Sequence, residues 1–113
     1  MISHGSAPCF YCGVKAYKWK PKGKDLMPDD ALTRDHIVPD SKARLLKKSP
    51  AWNQSNRVES CWACNSYKGH LRPLDWLVIM PSNEGATRLG ERLILLGCSI
   101  DEVSEAMGRR KKT

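Results

Sequence analysis

The sequence predicts a small α+β domain stapled by a zinc ion, and three observations support this. The chain carries two Cys-x-x-Cys pairs, CFYC at 9–12 and CWAC at 61–64. The pattern between and after the pairs predicts two short strands and then a helix. Beyond residue 80, leucines recur at helical spacing. With 113 residues, the chain has room for one domain, whose apolar core is small enough to need a staple.

Zinc is the predicted staple because a two-residue spacer lets a tight turn aim two thiolates at one ion. Two such turns complete a tetrahedral set. Disulfides are less favoured, since MISHGSAPC at the start lacks the features of a secretory signal and we expect a reducing cytoplasm. A redox pair would need a βαβ pattern, which is missing, and buried unrelated thiols remain an alternative. Cys98 is interpreted as a small core residue. The predicted ligands are Cys9, Cys12, Cys61 and Cys64.

The zinc unit is predicted from the residues that separate the two pairs. Their separation exceeds the roughly 15 to 20 residues of a simple zinc ribbon, so a substantial structure must lie between them. Residues 32–38 have the β-branched content of a strand that Pro39 ends. Residues 57–60 form the second predicted strand, and a helix begins in the second cysteine turn. Residues 14–20 suggest a short basic strand or loop arm, while two stretches suggest loops, 21–30 and 40–56, the latter with a helical turn around 43–47.

The last third is predicted to be helical. Residues 75–80 form a short helix, and 83–97 form a longer one with Gly97 as its C-terminal cap. Ser99 opens a capping box for a last helix that ends at about Met107, and the RRKK tail is expected to fray. A helical pair covering the core is the favoured interpretation, and the first half of a helix-turn-helix is the alternative.

The charge favours a polyanionic partner. Nineteen Lys and Arg against twelve Asp and Glu give a net charge of +7 and a pI near 9.3. Nucleic acid is the leading candidate, although small basic proteins also exist that bind nothing specific. The apolar runs are too short to cross a bilayer, so no membrane partner is expected.

Residues 9–69 resemble the HNH endonuclease family of ββα-metal nucleases. The resemblance rests on CFYC, RDHIVP, NRVESCWACN and the following YKG. DH or CxxC alone would be a weak signal, whereas the combination is specific. The resemblance implies a ββα-metal finger, here extended by C-terminal helices, and a nuclease that leaves 5′-phosphate and 3′-hydroxyl ends. Small members are frequent in phages and their bacterial hosts.

The resemblance also implies residue roles. The first motif histidine corresponds to His36 and the acid before it to Asp35. The central asparagine corresponds to Asn56, and the final position, directly after the second CxxC, to Asn65. In the family, the histidine is the general base, the acid and the final residue hold the catalytic metal, and the central asparagine orients the histidine by tying down the intervening loop.

This assignment agrees with the chemistry of the side chains. Phosphodiester hydrolysis needs a base for water and a cation for the phosphate charge. An imidazole titrates near neutral pH, and the oxygens of Asp35 and Asn65 suit Mg²⁺ or Mn²⁺. Because adjacent strand residues point to opposite faces, we expect a bend before Pro39 to bring Asp35 and His36 to one centre. The alternatives are a solvated charged pair, an ordinary turn for Asn56 and a helix cap for Asn65.

The predicted function is therefore a metal-dependent HNH endonuclease that hydrolyses DNA, with a role in phage DNA processing or packaging. Residues 1–80 form the nuclease core and 81–113 a helical extension with a basic tail in the same compact domain. The alternatives are a noncatalytic zinc-stabilised nucleic-acid-binding module and a zinc-stapled adaptor for other proteins. We expect double-stranded DNA as partner in the cytoplasm of a bacterial or phage-infected cell, and His4 and His70 at the surface. Predicted DNA contacts are Lys68, with a solvated lysine as alternative, Arg57, Arg109 and Arg110.

Overall fold

In a computed structural model of the chain, residues 5–19, 27–39 and 49–110 are described. They form two small antiparallel sheets and five helices, so the predicted α+β class is confirmed. None of these helices has the length and apolar content that a membrane crossing requires. The strands are β1 (Ser6–Pro8), β2 (Lys15–Tyr17), β3 (Leu32–His36) and β4 (Arg57–Cys61). The helices are α1 (Pro50–Ser55), α2 (Trp62–Lys68), α3 (Pro73–Ile79), α4 (Asn83–Leu95) and α5 (Ile100–Arg109).

The first sheet is a hairpin built around the first cysteine pair. β1 and β2 pair antiparallel with Ala7 opposite Ala16. The turn between them is closed by a hydrogen bond from the Gly13 amide to the Cys9 carbonyl at 2.9 Å, and Gly13 has φ +83°, which favours glycine. The sequence predicts a short basic strand or a loop arm at 14–20, and the structure has the strand β2 there. β1 was missed because three residues ending in proline carry almost no strand signal.

The second sheet pairs β3 with β4, and it contacts both the first sheet and helix α2. Its register places Asp35 opposite Val58 and His36 opposite Arg57. β3 ends at His36, two residues earlier than predicted. The amide of Ile37 still donates in register to the Asn56 carbonyl at 2.9 Å, but the Asn56 amide donates to the Trp52 carbonyl in α1 at 2.9 Å and does not return the bond. The strand end at His36 is therefore set by a contact with a residue that precedes β4.

Helix α1 was not predicted, and the expectation of an irregular loop is wrong for residues 50–55. Ser49 caps the helix, since its Oγ accepts a hydrogen bond from the Trp52 amide at 3.2 Å. Pro50 occupies the first helical position, where the missing amide hydrogen costs nothing. A proline in a polar and basic stretch favours an irregular loop, but Pro50 starts a helix instead. The helical turn expected at 43–47 lies outside the described residues.

The C-terminal helices follow the prediction closely. Helix α4 ends at Leu95, and Gly97 directly after the cap has φ +114°. Both bonds of the predicted capping box between Ser99 and Glu102 are present, at 3.0 and 3.1 Å. Helices α4 and α5 contact each other and α3, as expected for a helical pair. Helix α5 continues to Arg109, so the expected fraying is wrong there, and 111–113 lie outside the described residues.

Helix α4 is seated on the first cysteine turn at Gly85. A Cβ added to this glycine would lie 1.6 Å from the Tyr11 carbonyl oxygen, and only a movement of the backbone would remove this clash. We expect Gly85→Ala to lower the free energy of unfolding by about 3 kcal/mol or more in urea titrations. Gly108→Ala is the matched control, because nothing lies within 4 Å of its Cβ position in α5. The control should gain up to about 1 kcal/mol, and equal effects would contradict the close packing.

Candidate metal centre and active site

The two cysteine pairs meet in one cluster. The four sulfurs lie within 4.8 Å of one another, and three of the four residues are buried. Four thiolates at about 2.3 Å from a tetrahedral zinc ion lie about 3.8 Å apart, and the distance from Cys12 Sγ to Cys61 Sγ is 3.8 Å. The cluster can therefore hold a zinc ion, and the alternative of unrelated buried thiols is wrong. Its members are Cys9, Cys12, Cys61 and Cys64.

Both cysteine turns point backbone amides at a sulfur. The Cys12 amide donates to Cys9 Sγ at 3.5 Å, and the Cys64 amide donates to Cys61 Sγ at 3.4 Å. Cys61 ends β4 and caps α2, so the same side chain joins a strand, a helix and the metal centre. Amide donors and a helix start both stabilise thiolates, the form that binds metal.

The thiols have unequal acidity when no metal is bound. A hydrogen bond from Cys64 lowers the pKa of Cys9 to about 4, and this bond raises the pKa of Cys64 above its ordinary value. Burial raises the pKa of Cys61 to about 11. Burial also raises the pKa of Cys98, which packs at the edge of the core and is separate from the cluster, in agreement with its predicted role.

Asp35 lies on the face of β3 that packs against α2. Its side chain is only 11% exposed, so the alternative of a solvated acid is wrong. Tyr11 Oη donates to Asp35 Oδ2 at 2.6 Å, and Lys68 Nζ lies 3.3 Å from the same oxygen. Burial and the nearby Asp35 charge raise the pKa of Tyr11, so the phenol stays protonated and donates. Among the described residues, Oδ1 has no hydrogen-bond partner.

Asn65 faces the same surface of β3. Its Nδ2 donates to Thr33 Oγ1 at 3.0 Å, and Thr33 and Asp35 share a face because they are two residues apart on a strand. Asn65 and Lys68 share a face of α2 at three-residue spacing. Cys61, not Asn65, caps this helix, so the cap alternative is wrong. In the described part of the chain, Asn65 Oδ1 accepts no hydrogen bond, as with Asp35 Oδ1.

His36 is the last residue of β3 and is partly exposed. It stays in register with Arg57, so the bend expected to bring it round to the Asp35 side is not seen within the strand. Alternation places the imidazole on the opposite face from Asp35, beside the exposed Arg57. The imidazole makes no hydrogen bond to a described residue, while the His36 carbonyl accepts one from Lys68 Nζ at 3.1 Å.

Asn56 is 1% exposed, and its side chain binds both backbone groups of Val38. Its Oδ1 accepts from the Val38 amide at 2.7 Å, and its Nδ2 donates to the Val38 carbonyl at 3.0 Å. Asn56 is thus tied through its side chain to the segment after His36. Asn56 fixes where the strand ends and hence where His36 lies.

The predicted DNA contacts fall in different environments. Lys68 is 2% exposed, so the solvated-lysine alternative is wrong, and a phosphate contact would require its ammonium group to leave Asp35. Arg110 donates to the Leu77 carbonyl at 2.7 Å and to Asn83 Oδ1 at 2.9 Å, which fastens the end of α5. Arg57 and Arg109 are exposed, and so is His70, as expected.

Tyr11 is a partner of Asp35 that the sequence did not predict. Tyr11 stands inside a cysteine pair, and this position alone does not distinguish it from an ordinary aromatic residue of the core. The contact is visible only once the hairpin and β3 are folded together. Comparison of the chain with models of protein families, with curated proteins and with solved structures gave no match.

Proposed function

We propose that the chain is a metal-dependent HNH endonuclease that hydrolyses phosphodiester bonds in DNA. The observation that carries the proposal is the set of groups at the end of β3: Asp35 and Asn65 on one face of the second sheet, and the imidazole of His36 on the other face. The Cys₄ cluster holds zinc as a structural ion next to this centre. The net charge of +7 supports a nucleic acid as the substrate.

Asp35 and Asn65 are the residues that would hold the catalytic Mg²⁺ or Mn²⁺ in this proposal, since each keeps an oxygen without a hydrogen bond to a described residue. A cation bound there would neutralise charge on the scissile phosphate and on the departing oxygen. Lys68 already offsets part of the Asp35 charge, so we expect the cation to bind weakly without DNA and to depend on phosphate oxygens for its remaining ligands.

Asp35 and His36 leave β3 on opposite faces, and in this proposal their directions determine where the phosphate would lie. In phosphoryl transfer the attacking and departing oxygens lie roughly in line, on opposite sides of phosphorus. A base for the attacking water and a cation for the departing oxygen therefore belong on opposite sides of the phosphate. In this proposal His36 would take the proton from water and Asp35 would hold the cation. Because the two side chains leave β3 on opposite faces, the phosphate would have to lie at the strand end, within reach of both.

Tyr11 and Lys68 position Asp35 in this mechanism. Both contact Oδ2, and Oδ1 has no hydrogen-bond partner among the described residues. Tyr11 belongs to the first cysteine turn, so the zinc cluster and the catalytic carboxylate are joined by one side chain. Partners of this kind commonly account for 10- to 100-fold in metal affinity or activity.

Tyr11→Phe is expected to raise the half-activating Mn²⁺ concentration about 10- to 100-fold, because Asp35 loses the donor that orients it. Stability should fall by about 1.5 to 3 kcal/mol, the range for a hydrogen bond to a charged group. Elemental analysis should still find one zinc per chain. The assay is a Mn²⁺ titration of plasmid nicking, and an unchanged half-activating concentration would remove Tyr11 from the positioning role.

Nicking of supercoiled plasmid tests the function itself. The zinc-loaded protein should convert plasmid to the open-circular form when Mg²⁺ or Mn²⁺ is added and should not do so without either. Equal nicking by the wild type and His36→Ala would point to a contaminant and overturn the proposal. A noncatalytic zinc module would bind DNA with salt-sensitive affinity and cut nothing, whereas an adaptor would not bind DNA at all.

A further inference from the structure

A groove of 670 Å³ lies between the first cysteine turn, β4 and α4. Among the described residues, three arginines line it, Arg57 from β4 and Arg88 and Arg92 from α4, and one acidic residue does, Glu59. Arg34 is the cross-strand neighbour of Glu59, so it adds positive charge to the same face of the sheet. The groove is therefore a concave surface of positive charge, and it lies outside the centre formed by Asp35 and Asn65.

The two arginines of α4 are held in place before any ligand arrives. Arg88 donates through Nε and Nη2 to the Phe10 carbonyl at 3.1 and 2.9 Å, and Arg92 Nη1 donates to the Ser55 carbonyl at 2.7 Å. Their guanidinium carbons lie 6.0 and 5.0 Å from the centre of the Phe10 ring. A guanidinium has five N–H donors, so each keeps donors for a ligand, and little side-chain freedom is lost on binding.

The groove is continuous with the candidate catalytic histidine. Arg57 lines the groove and is the cross-strand neighbour of His36, so both side chains lie on the same face of the second sheet. A strand of nucleic acid with its phosphate beside His36 would place neighbouring phosphates along this face. The arginines lie where those phosphates would need countercharge.

Resting on the proposed function, we infer that this groove binds the sugar–phosphate backbone of duplex DNA next to the cut site. A single strand is usually held by bases stacked on exposed aromatic rings. Phe10 is the aromatic residue among the groove's lining, and its ring is covered by Arg88 and Arg92. The groove thus offers guanidinium donors for phosphates and no open ring for a base, so its binding is independent of sequence.

Salt-dependent binding of a labelled DNA duplex to His36→Ala protein, which keeps the duplex intact, tests this inference. Arg57→Gln should weaken binding about five- to tenfold and make the salt slope shallower by about 0.7 to 0.9, the value of one phosphate contact. Glu59→Gln, which removes the opposing charge in the groove, should tighten binding. Arg72→Gln is the matched control, since Arg72 is an exposed arginine that does not line this groove and is paired with Asp75.

The outcomes separate the groove from the function. If Arg57→Gln weakens binding no more than Arg72→Gln does, or if Glu59→Gln does not tighten it, the groove is not the binding surface, whatever the nicking assay shows. If the Arg57 effect is larger on the matching single strand or on an RNA duplex, the assignment to duplex DNA is overturned. If wild-type protein and His36→Ala nick equally while Arg57→Gln still loses affinity, the nuclease proposal fails and the groove stands as a DNA-binding surface.

Discussion

Removing zinc from the chain is expected to unfold it. The cluster joins the first hairpin to the junction of β4 and α2, and these segments are about fifty residues apart in a small domain. Structural zinc contributes about 10 to 16 kcal/mol in zinc-finger peptides, whereas a whole domain is stable by about 5 to 15 kcal/mol. A folded state without the ion would therefore have little or no stability left. Loss of the helical circular dichroism signal after chelation is the measurement.

Variants of single cysteines test whether the loss of stability comes from the cysteine cluster. Cys61→Ser should reduce the zinc content well below one ion per chain and abolish the cooperative thermal transition, since Cys61 belongs to the cluster and also caps α2. Cys98→Ser is the matched control, because Cys98 lies outside the cluster, and it should keep one zinc per chain. Finding no zinc in the purified wild type, or a chelated protein that melts as before, would contradict the role of the cluster.

His36→Ala is expected to reduce the rate of plasmid nicking about 10²- to 10⁴-fold, the usual contribution of a general base. The side chain is partly exposed and makes no hydrogen bond to the described residues, so its loss should leave folding and zinc content unchanged. The rate should fall without a matching change in DNA affinity, because the base acts on water rather than on binding. Initial nicking rates, measured alongside DNA binding, test both parts.

His70→Ala is the matched control for the loss of a histidine. His70 is exposed after α2 and does not belong to the proposed centre, so this variant should nick at the wild-type rate. Added imidazole should restore part of the activity of His36→Ala by replacing the missing base. Activity in His36→Ala within twofold of wild type, at about equal DNA affinity, would overturn the assignment of His36 as the base and with it the nuclease proposal.

Much of the local structure was predictable because its causes are local. Two cysteines two residues apart, a proline after β-branched residues, and a serine three residues before a glutamate each constrain their own neighbourhood. These signals located the metal cluster, β3, β4, α2 and the helices α4 and α5. They also placed Asp35, His36 and Asn65 on a strand end and a following helix, through a resemblance in motif.

Only the tertiary structure determined the partners of these residues. Lys68 was expected at the surface and is buried against Asp35, because a strand and a helix distant in sequence meet there. Tyr11 donates to the same carboxylate, and Asn56 decides where β3 ends. The sequence by itself determined which residues can bind metal or carry protons. Contacts between residues tens of positions apart determine which of these side chains face one another and which charges lie beside them. Local propensity does not encode such contacts.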